Sequence, residues 1–326
     1  MPAQANWRFM TTETEYAIKV ENLTKRYGNL LAVDDISFTV RKGEVFALLG
    51  PNGAGKTTTV EIVETIRTPT SGKVTLLGMD VMKKKHDIVH RIGVLPQGFS
   101  SFDRITVKET LQYYARLYSS RNTDIDGLIE LVNLEDKAKE QYKNLSGGLQ
   151  QRLGIAIALV NDPEVVFLDE PTTGLDPRAR REVWEVLQGL KKKGKTVFLT
   201  THYMEEAELL ADIVAIISKG KIIAMDSPGK LIENNVKHLV LTLQSVDEKA
   251  MEVIRKMGFE PVLDDRQEIK TRVVHTDDVQ KILSAITDAG VLYHGLDVRK
   301  PNLEEVFLKL TGEALHGGLV GERGTK

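Results

Sequence analysis

Residues 50 to 58 read GPNGAGKTT, at the point where the apolar run EVFALL hands over to the helical pattern TVEIVETI. A strand-to-helix turn needs about one glycine to take positive φ, and three of them weaken the local fold unless something must lie against bare backbone. A phosphate is such a thing. Gly50, Gly55, Lys56 and Thr57 satisfy G-x-x-x-x-G-K-[ST], the spacing of a phosphate cradle, and the strand-loop-helix context is the one that the pattern requires. The loop Gly50, Pro51, Asn52, Gly53, Ala54 and Gly55 offers backbone N–H groups from every residue but the proline, and with the helix N-terminus behind them these form a nest for anionic oxygens. Lys56 adds a full charge at the β- and γ-phosphates, the Thr57 hydroxyl can ligate Mg²⁺, and Thr58 offers a further phosphate contact.

The surrounding pattern predicts an α/β fold. EVFALLG, GVLPQ, EVVFLDE and TVFLTTH are short, nearly continuous apolar runs that end in polar or glycine residues. This is how parallel strands buried on both faces read, and chemistry collects at their carboxyl ends. Two β-rich runs between Tyr16 and about Phe38 suit an antiparallel sheet. From Phe99 to about Val160 helical periodicity replaces the strand signal, opening with a capping box at Thr106 and Glu109, so this region reads as an all-helical insert. A boundary is expected at Ser227 to Gly229. Beyond it, HLVLTLQ, a helix capped by Ser245 and Glu248 and ending at Gly258, PVLDD, EIKTRVV, a helix from Thr276 to Gly290 and VLYHGLDV follow the βαββαβ order of a ferredoxin-like domain. A last helix, NLEEVFLKL, is capped by Asn302 and closed by Gly312. Residues 1–15 read as a polar extension without the apolar core of a signal peptide, and 313–326 as a mobile tail.

Composition bounds the partners. The 326 residues carry 44 basic and 46 acidic side chains, net charge -2, so the long-range basic field of a nucleic-acid binder is absent and no nucleic acid is expected. Without cysteine there is neither disulfide nor thiol catalysis. No apolar stretch has the length of a membrane span, so service to a membrane would run through a partner. His86 and His90 in HDIVH have the spacing of a zinc pair but lack a third ligand, and a solvated face is favoured. The KKK runs at 83–85 and 191–193 read as helix-end charges, the second suiting the dipole ahead of Gly194.

VVFLDE ends in two adjacent carboxylates, Asp169 and Glu170, which are costly to bury unpaired. Asp169 would hold Mg²⁺, and Glu170, directed elsewhere by side-chain alternation, would act as general base toward water. Together with GPNGAGKTT and VVFLDEPTTGLDP, the segment LSGGLQQR at 145–152 resembles the motif set of ATP-binding cassette (ABC) ATPases, over roughly Tyr16 to Pro228. The resemblance implies a RecA-like P-loop NTPase core with an antiparallel β subdomain and a helical insert at about 99–160. It assigns Ser146, Gly147 and Gly148 to the signature loop that caps the γ-phosphate of ATP on the opposite subunit, a role that suits bare N–H groups at a helix N-terminus. Leu149 stands where the family has glutamine, leaving the S-G-G core intact. Gln97 matches the Q-loop glutamine reaching Mg²⁺ and water, His202 the switch histidine on the γ-phosphate, Asp176 the D-loop, and Tyr27 the ring that stacks on adenine. Ser146 and Asp176 also read as N-caps, and Tyr27 also as a core aromatic.

What the resemblance implies in full is a homodimer enclosing two ATP molecules with Mg²⁺. It would be cytoplasmic, peripheral on the inner face of the cell membrane, and would energise separate permease subunits that dock near Gly98 to Leu117. PNLEEVFLKLTG at 301–312 is similar to the ending of drug-resistance-type ATPases of ABC-2 exporters, a resemblance that implies an accessory, regulatory domain over residues 229–312 of this chain. The alternatives are a soluble ABC ATPase acting on a nucleoprotein, which usually carries two cassettes or basic extensions, and another P-loop enzyme such as a small-molecule kinase, which would lack LSGG.

Overall fold

The computed structural model describes residues 15–118, 120, 122–244, 248–264 and 267–312. The extension at 1–14, the tail at 313–326 and the Ser245 cap lie outside these residues. The chain divides between Ser227 and Pro228 into two compact units.

The first unit holds two sheets. In one, β1 (Tyr16–Tyr27) pairs antiparallel with β2 (Leu30–Arg41). The other opens with β3 (Val45–Leu49), which leads through the glycine loop into α1 (Lys56–Val63). Then β4 (Ser71–Leu76) and β5 (Met79–Asp80) complete the antiparallel sheet in the order β2-β1-β4-β5. After α2 (Lys85–Val89) comes β6 (Ile92–Leu95), followed by the helical region: α3 (Val107–Leu117), α4 (Ile125–Leu131) and α5 (Gly147–Ala158). The capping box at Thr106 and Glu109 forms as the spacing predicts. The remaining elements are β7 (Val165–Asp169), α6 (Pro177–Lys192), β8 (Thr196–Thr201), α7 (Met204–Leu210), β9 (Ile213–Ser218) and β10 (Lys221–Asp226).

The second sheet runs β10-β9-β3-β8-β7-β6, parallel except for β10. Every residue of β3, β7 and β8 is buried, which is why these strands read as unbroken apolar runs. Phe38 from the antiparallel sheet stacks on Phe46 of β3 at 5.1 Å, and Phe198 of β8 lies 5.2 Å from Phe46 and 5.7 Å from Phe167 of β7. This aromatic row joins the two sheets in one core, so the carboxyl ends of β3, β8, β7 and β6 are held side by side. The loops that leave those ends carry the chemistry.

The first lysine run falls at the start of α2, with Lys84 as N-cap, where a cation opposes the dipole; Asp87, 3.4 Å from the Lys84 ammonium, offsets it. The second closes α6 as read, with Lys191 and Lys192 in its last turn.

The second unit contains α8 (Pro228–Asn235), β11 (Leu239–Gln244), α9 (Glu248–Lys256), β12 (Val262–Leu263), β13 (Glu268–Val273), α10 (Thr276–Asp288), β14 (Gly295–Arg299) and α11 (Leu303–Thr311). Its sheet is antiparallel throughout, in the order β12-β13-β11-β14. Leu241, Leu243, Ile254, Ile269, Ile282 and Ile286 form its own core. VLYHGLDV does not extend over its full length: β14 begins only at Gly295, which pairs with Gln244 of β11. PVLDD contracts to two strand residues. Asn302 caps α11 and Gly312 closes it at φ 69°.

Candidate nucleotide site

The glycine loop leaves β3 with the Gly50 N–H donating to Thr201 O at 3.2 Å. Two of its three glycines are required by the protein itself. A Cβ on Gly50 would sit 2.3 Å from Ile217 O, and one on Gly55 2.4 Å from Ala32 O. Only Gly53, at φ 80° with nothing near its open side, matches the expectation of backbone bared toward a ligand. Gly55 takes the N-cap position of α1 at φ 104° without any side-chain cap, so the first N–H groups of that helix keep their capacity for an anion. Asn52, Gly53 and Thr57 are exposed, Pro51, Gly55 and Thr58 half-buried, and Ala54 buried.

Lys56 is only 4% exposed. Its ammonium donates to Gly50 O at 2.8 Å and Pro51 O at 3.2 Å and pairs with Glu170 Oε1 at 3.0 Å. Glu170 is the meeting point of the site. Its Oε2 accepts from Gln97 Nε2 at 3.2 Å and Thr173 Oγ1 at 3.0 Å, and His202 Nδ1 stands 3.2 Å from it without hydrogen-bond alignment. Burial pushes the Glu170 carboxyl up, but the Lys56 ammonium and its hydrogen bond, with His202 and Thr173, outweigh burial and hold it below the ordinary glutamate value. An ionised carboxylate here is what a general base requires. Side-chain alternation is not what aims it: Glu170 has φ 49°, so the chain has left the extended conformation, and its N–H is tied to Thr200 O and Thr200 Oγ1.

Asp169 ends β7 with its carboxylate bonded by the Thr200 hydroxyl and by Thr57. Burial and the adjacent Glu170 charge raise its pKa, against the pull of the two hydroxyls and Lys56. A cation at this point would relieve that cost. The donors on hand, the Asp169 carboxylate, the Thr57 hydroxyl and the Gln97 amide oxygen, are all hard oxygens and fit Mg²⁺, which binds one or two carboxylates together with substrate phosphates.

The structure thus gathers Lys56, Thr57, Gln97, Asp169, Glu170 and His202 from the ends of four neighbouring strands. Among the described residues, no hydrogen bond or ion pair joins Ser146, Gly147, Gly148, Asp176 or Tyr27 to them. Ser146 is the N-cap of α5, accepting from Leu149 N at 3.4 Å, and it is exposed together with Gly147. Asp176 caps α6, accepting from Arg178 N and Ala179 N at 2.9 Å each, with Pro177 in the first turn. Tyr27 is 38% exposed, with the Lys25 ammonium 4.9 Å and the Arg67 guanidinium 5.7 Å from its ring, so it is not a core aromatic. His86 and His90 are exposed, and among the described residues no group of three or more His, Asp or Glu is placed to hold a metal. Sequence reasoning passed over Thr200, which bonds both Asp169 and Glu170; a threonine inside an apolar strand carries little signal by itself.

A family model described as ABC transporter matches residues 33–173. Over 307 residues, 91% of this chain and 94% of the relative, the chain is 40% identical to Nod factor export ATP-binding protein I of Ralstonia nicotianae. The chain belongs to the ABC transporter ATP-binding family. Proteins of the same name from Rhizobium meliloti and Rhizobium johnstonii are 39% and 38% identical, each over 92% of this chain. Among solved structures, a dimeric ATP-binding cassette in a post-hydrolysis state bound to ADP and Pi superposes with TM-score 0.58 at 25% identity, covering 64% of this chain and 98% of that one. An ATP-binding subunit of an ABC transporter does so with TM-score 0.59 at 26% identity, covering 67% and 92%. Like its family, this ABC protein is an ATPase that binds and hydrolyses ATP. Among the described residues no helix is long and apolar enough to cross a membrane.

Proposed function

We propose that this ABC ATPase energises a separate membrane permease of the ABC-2 exporter type by ATP-driven closure of a homodimer. The observation that carries the chemistry is the convergence of Lys56, Gln97, Thr173 and His202 on the Glu170 carboxylate. ATP entering the cradle brings phosphate oxygens that take over the Lys56 ammonium, which frees one Glu170 oxygen to accept a proton from water. Gln97 and His202 orient that water and the γ-phosphate. Asp169, Thr57 and Gln97 would hold Mg²⁺, which would supply charge neutralisation to the phosphate oxygens. The exposed Tyr27 ring receives adenine.

Ser146, Gly147 and Gly148 complete the site of a second copy, with Asp176 beside them on α6. The exposure of Ser146 and Gly147 at the head of α5, and the lack of bonds from all three to this chain's own site, support that reading. Export is the direction in the names of the relatives, and 38–40% identity over nine tenths of the chain supports it here. The chain would then work at the cytoplasmic face of the membrane, with permease helices on the helical insert. The strand order β12-β13-β11-β14 supports a ferredoxin-like accessory domain over 229–312, beside a cassette over 16–228.

Glu170→Gln tests the chemistry: turnover should fall by about a hundredfold or more while ATP still binds. Turnover near that of the unmodified chain would remove Glu170 from its role.

A further inference from the structure

Glu206, on α7, is fully buried, four residues past His202 and outside the cluster around Glu170. Its Oε1 accepts from Thr172 Oγ1 at 2.8 Å and from Trp184 Nε1 at 3.0 Å. The Thr201 hydroxyl also faces the carboxyl, although Oε2 lacks an aligned donor. That same hydroxyl accepts from Tyr203 N at 2.9 Å. Each contact lies next to a residue of the site. Thr172 is two residues after Glu170, Thr201 immediately precedes His202, and Trp184 is on α6, the helix that Asp176 caps. A second clamp runs parallel: the Arg180 guanidinium of α6 lies 4.3 Å from the Tyr203 ring, which stands 4.2 Å from the His202 ring.

A buried carboxylate is an expensive way to fill space, since an apolar side chain of similar size would do so without desolvation. What it adds is a fixed, multidentate acceptor. We infer that Glu206 is a positioning residue for ATP hydrolysis, its carboxylate holding the segment after Glu170 and the segment carrying His202 at a set distance from each other and from α6. This rests on the roles proposed for Glu170 and His202. Glu206 touches neither the nucleotide nor the water, and it acts by fixing where the base and the histidine stand.

The test measures kcat for ATP, affinity for a non-hydrolysable ATP analogue and Tm on the full chain, for Glu206→Ala, Glu206→Gln and Thr172→Val, with Glu170→Gln and His202→Ala alongside. Misplacement of the catalytic pair should lower kcat of Glu206→Ala by about tenfold to a hundredfold, with analogue affinity within about threefold of the unmodified chain. Glu206→Gln, which keeps an acceptor for Thr172 and Trp184, should recover most of kcat. Thr172→Val deletes one donor without changing volume, so it should lower kcat in part, and it decides the matter if Glu206→Ala does not fold. An unchanged kcat per bound nucleotide in Thr172→Val and Glu206→Ala, with only Tm reduced, would make Glu206 a stability residue and overturn the inference alone. Full turnover in Glu170→Gln and His202→Ala would instead overturn the reading beneath it.

Discussion

Lys56 and Glu170 are both buried and pair at 3.0 Å, so the charge of one compensates that of the other. Lys56→Ala therefore acts twice. It removes a charged phosphate contact, which should weaken ATP affinity by about tenfold to a hundredfold, and it leaves Glu170 as an unpaired buried charge, which should cost about 3–5 kcal/mol of stability. Titration of ATP and thermal melting read the two effects separately; unchanged affinity would speak against the cradle. Glu64, at the end of α1 and 5% exposed, offers a pH signature. Burial first, then the Asp169 and Glu61 charges, push its carboxyl up to about 8. The folded chain thus keeps a proton between pH 4.5 and 8 that the unfolded chain releases. Stability contributed by that proton is complete at low pH and is lost as pH rises toward 8, by at most about 1.4 kcal/mol per pH unit. Glu64→Gln cannot lose it. Melting of the nucleotide-free protein should show the advantage of Glu64→Gln over the parent growing from pH 5 to pH 8 and levelling off above; a constant difference would refute the assignment.

At the level of elements, the order of strands and helices in the first unit was legible because each has a plain physical signal: unbroken apolar runs for strands covered on both faces, and caps at Thr106, Ser146 and Asp176 for helices. What was not legible depends on neighbours distant in sequence. That Gly50 and Gly55 are demanded by the carbonyls of Ile217 and Ala32 requires the sheets to be assembled first, and so does the Lys56–Glu170 pair. The two glycines that open α5 show the same division of labour. A Cβ on Gly148 would meet Ala179 Cβ of α6 at 2.7 Å, whereas one on Gly147 would find only Leu175 Cδ2 at 3.6 Å. Gly148→Ala should thus force α5 away from α6 at a cost of about 1–3 kcal/mol. Gly147→Ala should leave Tm unchanged, so that any loss of ATP turnover in it reports on the approaching ligand. Equal Tm losses in the two variants would contradict this separation.

For the whole molecule, Lys56, Gln97, Thr173 and His202 meet at Glu170 while the exposed Ser146 and Gly147 make no hydrogen bond or ion pair with that cluster among the described residues; on the proposed reading this is half a site. Joined to a second copy, each cradle would meet the exposed Ser146 and Gly147 of its neighbour, and γ-phosphate contacts available only across that junction would drive closure. On that reading, hydrolysis would remove those contacts and return the open state, the stroke that a permease would use. The central claim is therefore that two chains share each ATP, and the mass of Glu170→Gln in solution with ATP and Mg²⁺ tests it most directly. Light scattering should give the mass of a dimer with ATP, of a monomer with ADP, and of a monomer again when Ser146→Asp is added to repel the phosphate. A dimer that persists with ADP and with Ser146→Asp, or a monomer under saturating ATP, would contradict it.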